Sequence, residues 1–371
     1  MAKAKYWNWQ QDDWPRFSFD SASLEAMERE FLHASGVQVG VAKHLNDHDK
    51  LLVLIESLSN EAVTTSEIEG EIVNRDSVQS SFRRRFGLET DHRRVKPAEE
   101  GIAEMMVDLY ETYSEPLTHR HLFRWHEMLF NGRRDLDAVG SYRTHDDPMR
   151  VVSGPLDSPV IHFEAPPSQS VLKEMERFLL WFNDTSPSGK KPLPPLTRAS
   201  VAHLYFVCVH PFEDGNGRIG RSIAEKALAQ SMGKPTLIAL SETILKSRKQ
   251  YYTALEENNR SMKVDRWLDY FSATIIAAQE RSLRNMDFVI QKAKFFDRYR
   301  DQLNPRQSKA MLRVFREGPE GFVGGLNAEK YISITKTSRA TATRDLADLL
   351  TLKALTKTGS GKGTRYHLKL D

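Results

Sequence analysis

The chain contains one cysteine, Cys208, in 371 residues. No disulfide can form within it, so the fold must be held by a hydrophobic core. Cys208 lies in the apolar run VAHLYFVCV with no base beside it, which predicts a buried thiol in a reducing compartment and no nucleophilic role. Long apolar runs are missing as well: no window approaches the roughly 18 consecutive apolar residues that suggest a membrane helix. The opening MAKAKYWNWQQDDWP lacks the continuous apolar stretch of a secretory leader. These absences predict a cytoplasmic protein with no membrane partner. C-x-x-C, H-E-x-x-H and serine-elbow sequences are absent, so redox, zinc-peptidase and α/β-hydrolase chemistry have no motif to rest on. Internal repeats and strand-helix-strand alternation are also missing, which removes solenoid and doubly wound architectures. A net charge of +3 is too small to imply a nucleic-acid partner for the molecule as a whole.

What is present is helical periodicity. Apolar spacing predicts helices from Ser21 to about Asn60, with Ser21 or Ser23 as the first cap, then from about Glu99 through VDLYETY, and from Thr118 to Leu129. Further helices are expected at Ser168 to Trp181, Thr197 to Val209, Ile219 to Met232, Ser241 to Glu257 and Val264 to Phe296. Between Arg133 and Pro167 the composition turns to Gly, Pro and Asp, with short extended pieces at MRVVSG and PVIHFEAPP that read as a hairpin between helices. Trp7, Trp9, Trp14, Phe17 and Phe19 crowd the first twenty residues, so much ring surface that a small packed lobe is expected.

The character changes at Asn304. The last 68 residues hold 13 Lys and Arg against 6 Asp and Glu, which concentrates positive charge in one segment. A helix around Ser308 to Phe315, the stretch YISITK, a helix from near Ser338 and a hairpin around TGSGKG follow in order, the pattern of a winged helix-turn-helix. DNA contact through residues 304–371 and a dimerisation or protein-contact role are both open at this point.

One cluster carries chemistry. His210 to Arg221 reads HPFEDGNGRIGR, directly after the most apolar helix. Pro211 stops that helix, the turn through Asp214, Gly215, Asn216 and Gly217 can adopt positive φ, and a new helix begins near Arg218. Turn amides and the free amides of the new helix then converge on an anion site. Arg218 and Arg221, three apart, share a helix face and can both reach a polyphosphate. Asp214 offers an oxygen ligand for magnesium, and His210 a general base with an ordinary pKa near neutrality. Phe212 is read as a core anchor, and Glu213 as facing solvent.

This cluster resembles the signature of the Fic family, H-P-F-x-D-G-N-G-R-x-x-R, at every fixed position. The resemblance implies a mainly α fold, with a helical core, a β-hairpin flap, a small N-terminal helical lobe and a C-terminal winged helix-turn-helix. It implies transfer of AMP from ATP to a Ser, Thr or Tyr hydroxyl of a target protein and of the chain itself. His210 would be the base, Asp214 would hold Mg2+, and the amides of Gly215, Asn216 and Gly217 would cradle phosphates contacted by Arg218 and Arg221. The segment GSYRTHDDPMRVVSG with HFEAPP resembles the flap, about residues 143–165, on which the target protein docks. YYTALEENN resembles the segment over the adenosine, with Tyr251 or Tyr252 near the base and Asn259 in reach of the nucleotide; core packing is the competing role for the tyrosines. Thr65 to Gly70 matches the inhibitory motif S/T-x-x-x-E-G/N, so Glu69 would pair with Arg221 and compete with phosphate for its guanidinium.

The implied organisation is an N-terminal lobe over 1–95 with the motif at 65–70, a catalytic domain over 96–300 with the signature at 210–221, and a winged helix over 304–371. Open beside AMP transfer are the reverse reaction, with Glu69 orienting water, a different nucleotide donor, and a DNA-binding regulator using the core as a nucleotide sensor. A homodimer is compatible with the sequence.

Overall fold

A computed structural model describes residues 6–43, 45–89, 94–155, 158–319, 321–322 and 324–370. They fall into two compact units, one drawn from 1–44 and 54–282, the other from 45–53 and 283–371. The described residues are mainly helical with two antiparallel hairpins among them, as the periodicity predicts.

The elements of the first part are α1 (Glu25–Lys43), α2 (Asp47–Ile68), α3 (Arg75–Arg85), α4 (Pro97–Thr112) and α5 (His119–Leu129). The hairpin β1 (Arg150–Ser153) and β2 (Val160–Glu164) follows, paired from Arg150 opposite Glu164 to Ser153 opposite Val160. Then come α6 (Ser168–Asp184), α7 (Pro195–Val209), α8 (Asn216–Met232), α9 (Leu240–Lys246), α10 (Arg248–Asn258) and α11 (Asp265–Arg298). The core of the larger unit is α7, nearly all of which is buried, packed most extensively on α8 and enclosed by Phe178, Phe182, Trp267 and Phe271.

Burying a helix start leaves its first amides without acceptors. Here the α1 carboxylate of Glu28 fills that need, accepting from Leu196 N (3.0 Å), Thr197 N (2.9 Å) and Thr197 Oγ1 (3.0 Å), where it also faces the positive end of the helix dipole. Pro195 occupies the first turn, where a missing N–H costs nothing, so α7 begins two residues before the Thr197 expected from the proline-rich loop.

Three further local differences have simple causes. Asp20, not Ser21 or Ser23, caps the first turn, accepting from Ala22 N at 3.0 Å. The helix expected over 241–257 breaks at Ser247, whose ψ of 33° lies outside the helical range. The N-terminal tryptophans do not form a core of their own. Trp14 packs edge-on against Tyr205, Trp7 against Phe163, and Trp9 Nε1 donates to the Glu164 carbonyl at 2.7 Å, so this segment straps β2 and α7.

The second unit contains α12 (Pro305–Phe315), α13 (Ala328–Thr335), α14 (Arg339–Thr351), β3 (Leu355–Thr358) and β4 (Arg365–Leu368). YISITK belongs to α13 and the turn that follows it. Phe295, Met311, Phe315, Tyr331, Leu346 and Leu349 form its core.

Candidate active site

The twelve residues of the signature bridge α7 and α8. His210 closes α7 in the left-handed region, at φ 50° and ψ 59°, a conformation that a β-carbon makes costly. Arg143, buried, holds it there: its Nε donates to the His210 carbonyl (2.8 Å), its backbone N to the Pro211 carbonyl (3.0 Å), and its far nitrogens to the Pro166 carbonyl (2.6 Å) and Ser168 Oγ (2.8 Å). The His210 ring is fixed by Nδ1, which donates to the Val207 carbonyl at 3.3 Å and leaves Nε2 as the acceptor nitrogen. Burial, opposed by that bond, pushes its pKa down to about 4, so the imidazole is neutral at pH 7.

The turn is built by side chains as well as glycines. Asn216 Oδ1 accepts from Phe212 N (3.0 Å) while its Nδ2 donates to the Phe212 carbonyl (2.8 Å), and Phe212 is wholly buried. Gly215 has φ 81°, and a Cβ there would run into the Phe130 ring 2.7 Å away. Its amide donates to Asp214 Oδ1 at 2.6 Å. The amides of Asn216 and Gly217 head the first turn of α8, where no intrahelical acceptor exists. Glu213 is half-buried and accepts from Asp137 N at 3.0 Å, a correction to its expected place in solvent: the chain before β1 folds over it.

Glu69 lies just past the end of α2 and reaches into this turn. Its Oε1 is 2.8 Å from Arg221 NH2, and Arg221 is fully buried. Thr65 takes the same guanidinium through Oγ1 (2.8 Å from Nε) and its carbonyl (2.9 Å from NH2). A Cβ on Gly217 would overlap Glu69 Oε1 and come within 2.9 Å of its carboxyl carbon, so the carboxylate sits directly over the amide turn and only glycine leaves room for it. Tyr252 OH points to the Ile68 carbonyl (3.3 Å) and Glu69 Oε2 (3.5 Å).

Sequence reasoning missed a second carboxylate. Glu71 Oε2 is 2.5 Å from Arg218 NH1, and Glu71 also faces Arg133 at 3.4 Å. Both arginines of the signature are therefore held by acids from one short segment. The only sequence signal is the spacing of Glu69 and Glu71 around Gly70. Arg143 was likewise missed, although it stands in the quoted flap segment.

A cleft of about 730 Å³ lies beside the signature, within the range of nucleotide-sized sites. Glu69, His210, Asp214 to Gly217, Tyr251, Tyr252, Asn259 and the flap residues Val151, Val152 and His162 line it. Arg218 and Arg221 stand behind the turn. Tyr251 is buried with its hydroxyl on His203 Nε2 (3.0 Å), so only part of its ring is offered to the cleft. Asn259 Nδ2 donates to the His162 carbonyl of β2 (3.0 Å), which ties it to the flap. Cys208, buried in the cleft wall, takes a hydrogen bond from Asn8 Nδ2 (3.1 Å), and has its thiol pushed up to about 12 by burial.

The comparisons match this geometry. Residues 116–228 match the Fic/DOC family, and residues 7–88 match a domain of unknown function, DUF4172. A protein adenylyltransferase of Caenorhabditis briggsae is 37% identical over 89 residues, which is 24% of this chain and 16% of that protein. A probable protein adenylyltransferase of Aquifex aeolicus is 24% identical over 245 residues, 62% of this chain and 66% of the relative. The chain thus spans a small part of its Caenorhabditis relative and about two thirds of the bacterial one. In structure it resembles a Fic family protein from Desulfovibrio desulfuricans, with a TM-score of 0.53 at 18% identity over 96% of this chain and 98% of that one, a likeness of fold. The signature at the α7 to α8 turn lies within the residues that match the Fic/DOC family.

Proposed function

We propose that the chain is an autoinhibited protein adenylyltransferase, moving AMP from Mg-ATP to a Ser, Thr or Tyr hydroxyl of a target protein and of itself. The observation that carries this reading is Glu69, held on Arg221 and over Gly217 in the same cleft as His210. A carboxylate on an anion cradle stands where a phosphate would, and both compete for one guanidinium fork.

With Glu69 withdrawn, the amides of Asn216 and Gly217 and the Arg221 guanidinium are free to take the triphosphate, and Arg218 joins them as phosphate displaces Glu71. His210 Nε2 removes the proton from the attacking hydroxyl as its oxygen forms a bond to the α-phosphorus. The bond to the bridging oxygen breaks in line, and pyrophosphate leaves with the electron pair. Little covalent work falls to the protein, which positions the reactants and neutralises charge. Magnesium suits the donors present: among the described residues no cluster of three acids, histidines or cysteines could hold a metal alone, while Asp214 presents a half-exposed carboxylate to the cleft. One carboxylate plus substrate phosphates and water is the usual magnesium arrangement. The ion, when bound, supplies neutralisation of phosphate charge.

The ring of Tyr252 and the face of Tyr251 are the surfaces left for the adenine. The exposed residues Val152, Val160 and Ile161 make the flap an apolar strand edge on which a target segment can add by main-chain pairing. The C-terminal order of three helices and a hairpin we read as a winged helix-turn-helix, and the absence of any helix long and apolar enough to cross a membrane among the described residues fits a cytoplasmic enzyme.

Mass spectrometry after incubation with Mg-ATP tests the reading. Glu69→Gly should carry an AMP adduct on hydroxyl side chains that wild type carries weakly, and His210→Ala in that background should abolish it. No adduct on Glu69→Gly or on added lysate proteins would sink the assignment. Release of AMP from a modified protein by wild type, lost on Glu69→Gly, would instead assign the reverse reaction.

A further inference from the structure

The second unit presents an unpaired basic surface that the cleft chemistry does not use. α13 ends at Thr335, Lys336 turns the chain at φ 56°, and α14 starts at Arg339 behind a Ser338 cap that accepts from Thr341 N at 3.2 Å. This short turn between two helices is the connection found in helix-turn-helix units. The β3 to β4 hairpin gains a third chain at Leu326, which exchanges hydrogen bonds with Tyr366 (3.1 and 2.8 Å) and fixes the hairpin beside α14.

Charge is sorted on this frame. α14 buries Ala342, Leu346 and Leu349 and turns Arg339, Ala340, Thr343, Arg344 and Ala347 outward. Of its two acids, Asp345 is withdrawn from the surface, accepting from Arg306 Nε (2.8 Å), Asn304 Nδ2 (3.1 Å) and Tyr331 OH (3.0 Å), while Asp348 stays exposed toward the C-terminal end of the helix, one turn beyond Arg344. Exposed Lys336, Arg339, Arg344 and Lys357 form no ion pair among the described residues, whereas Arg300, Arg306 and Arg313 do. The short side chains between the two α14 arginines leave the helix narrow enough for a groove about 12 Å wide.

We propose that the C-terminal unit binds duplex DNA, with α14 in the major groove and Lys336, Arg339, Arg344 and Lys357 on phosphates. The observations favour DNA over duplex RNA, whose major groove is too deep and narrow for side chains to read. Four phosphate contacts give a slope of log K against log salt of about −3.6, a loss of about 150-fold between roughly 50 and 200 mM salt.

Fluorescence anisotropy of the full chain with a random-sequence duplex of two helical turns, about 20 base pairs, tests this. Arg339→Ala with Arg344→Ala should halve the slope to about −1.8 and cut the salt-induced loss to about 12-fold. Lys173→Ala with Lys190→Ala, exposed on the other unit, should leave it unchanged, and circular dichroism checks that each variant is folded. His210→Ala should bind DNA as wild type does, so failure here and failure of the AMP-transfer reading are separable. No binding to the duplex, equal binding to duplex RNA, or an unchanged slope in the double α14 variant would overturn the proposal.

Discussion

Replacing Glu69 by Ala should move stability and activity in opposite directions, and the structure sets the size of both. Breaking a buried pair by removing one partner costs about 3–5 kcal/mol when the remaining charge is uncompensated. Arg221 would keep the Thr65 hydroxyl and carbonyl as acceptors, and the Glu69 side chain is 26% exposed, so water can enter. These two facts bring the expected loss down to about 2 kcal/mol. For a domain of this size that is a drop in Tm of about 3–4 °C. The same 2 kcal/mol no longer opposes the triphosphate, so productive nucleotide binding should gain about 30-fold. Thermal melts with and without Mg-ATP, beside AMP incorporation, read both effects. Mg-ATP should raise the variant's Tm more than the wild type's, because nucleotide takes the vacated cation. A destabilised variant with neither a larger nucleotide shift nor more incorporation would refute the competition of Glu69 and phosphate for Arg221.

Gly217→Ala should expel Glu69 and fill the cradle at once: a melt should show lost stability that Glu69→Ala then restores in part, while mass spectrometry finds no AMP in either variant. With His210 held down to about 4 by burial, kcat/KM of Glu69→Gly should stay flat from pH 8 to 6; an imidazole at 6.5 would lose about three quarters of it by pH 6, and that loss would refute the assigned environment. Melts across pH should show greatest stability near pH 6.5. Burial lowers His126 and His210 to about 4 and His203 to about 3, so the folded chain binds fewer protons than the unfolded one below pH 6.5 and loses stability as acid is added. Burial raises Glu61 to about 7 and Glu225 to about 8, so the folded chain keeps protons that unfolded carboxylates release, and stability falls as pH climbs through those values. Between pH 4.5 and 6.5 three histidines outweigh two glutamates. A steady rise in Tm from pH 6 to 8 would contradict this, and Glu225→Gln should flatten the alkaline limb.

The helical class and the flap hairpin were legible because both rest on local pattern. Apolar spacing reports the buried stripe of a helix, and Pro211 with the glycines marks the end of α7 whatever surrounds it. Boundaries were less legible where a distant group decided them. The start of α7 depends on Glu28 from α1, and the capping Asp20 is itself held by Asp265, whose Oδ1 accepts from the Asp20 backbone N. Arg143 had no sequence signal of its own, since its importance lies in four contacts contributed by residues 23 to 68 positions away.

The sequence by itself determined the chemistry available at the α7 to α8 turn: a histidine before a proline, amides in a glycine turn, an acid and two arginines one helical turn apart. These are consequences of spacing along one short segment. Tertiary structure decided what that segment faces. It brought Glu69 over Gly217 and Glu71 onto Arg218 across about 150 residues, buried His210 until its imidazole is neutral, and turned Asp345 of α14 inward onto Arg306. Partners, burial and field depend on which distant surfaces meet, and a linear pattern does not encode those distances.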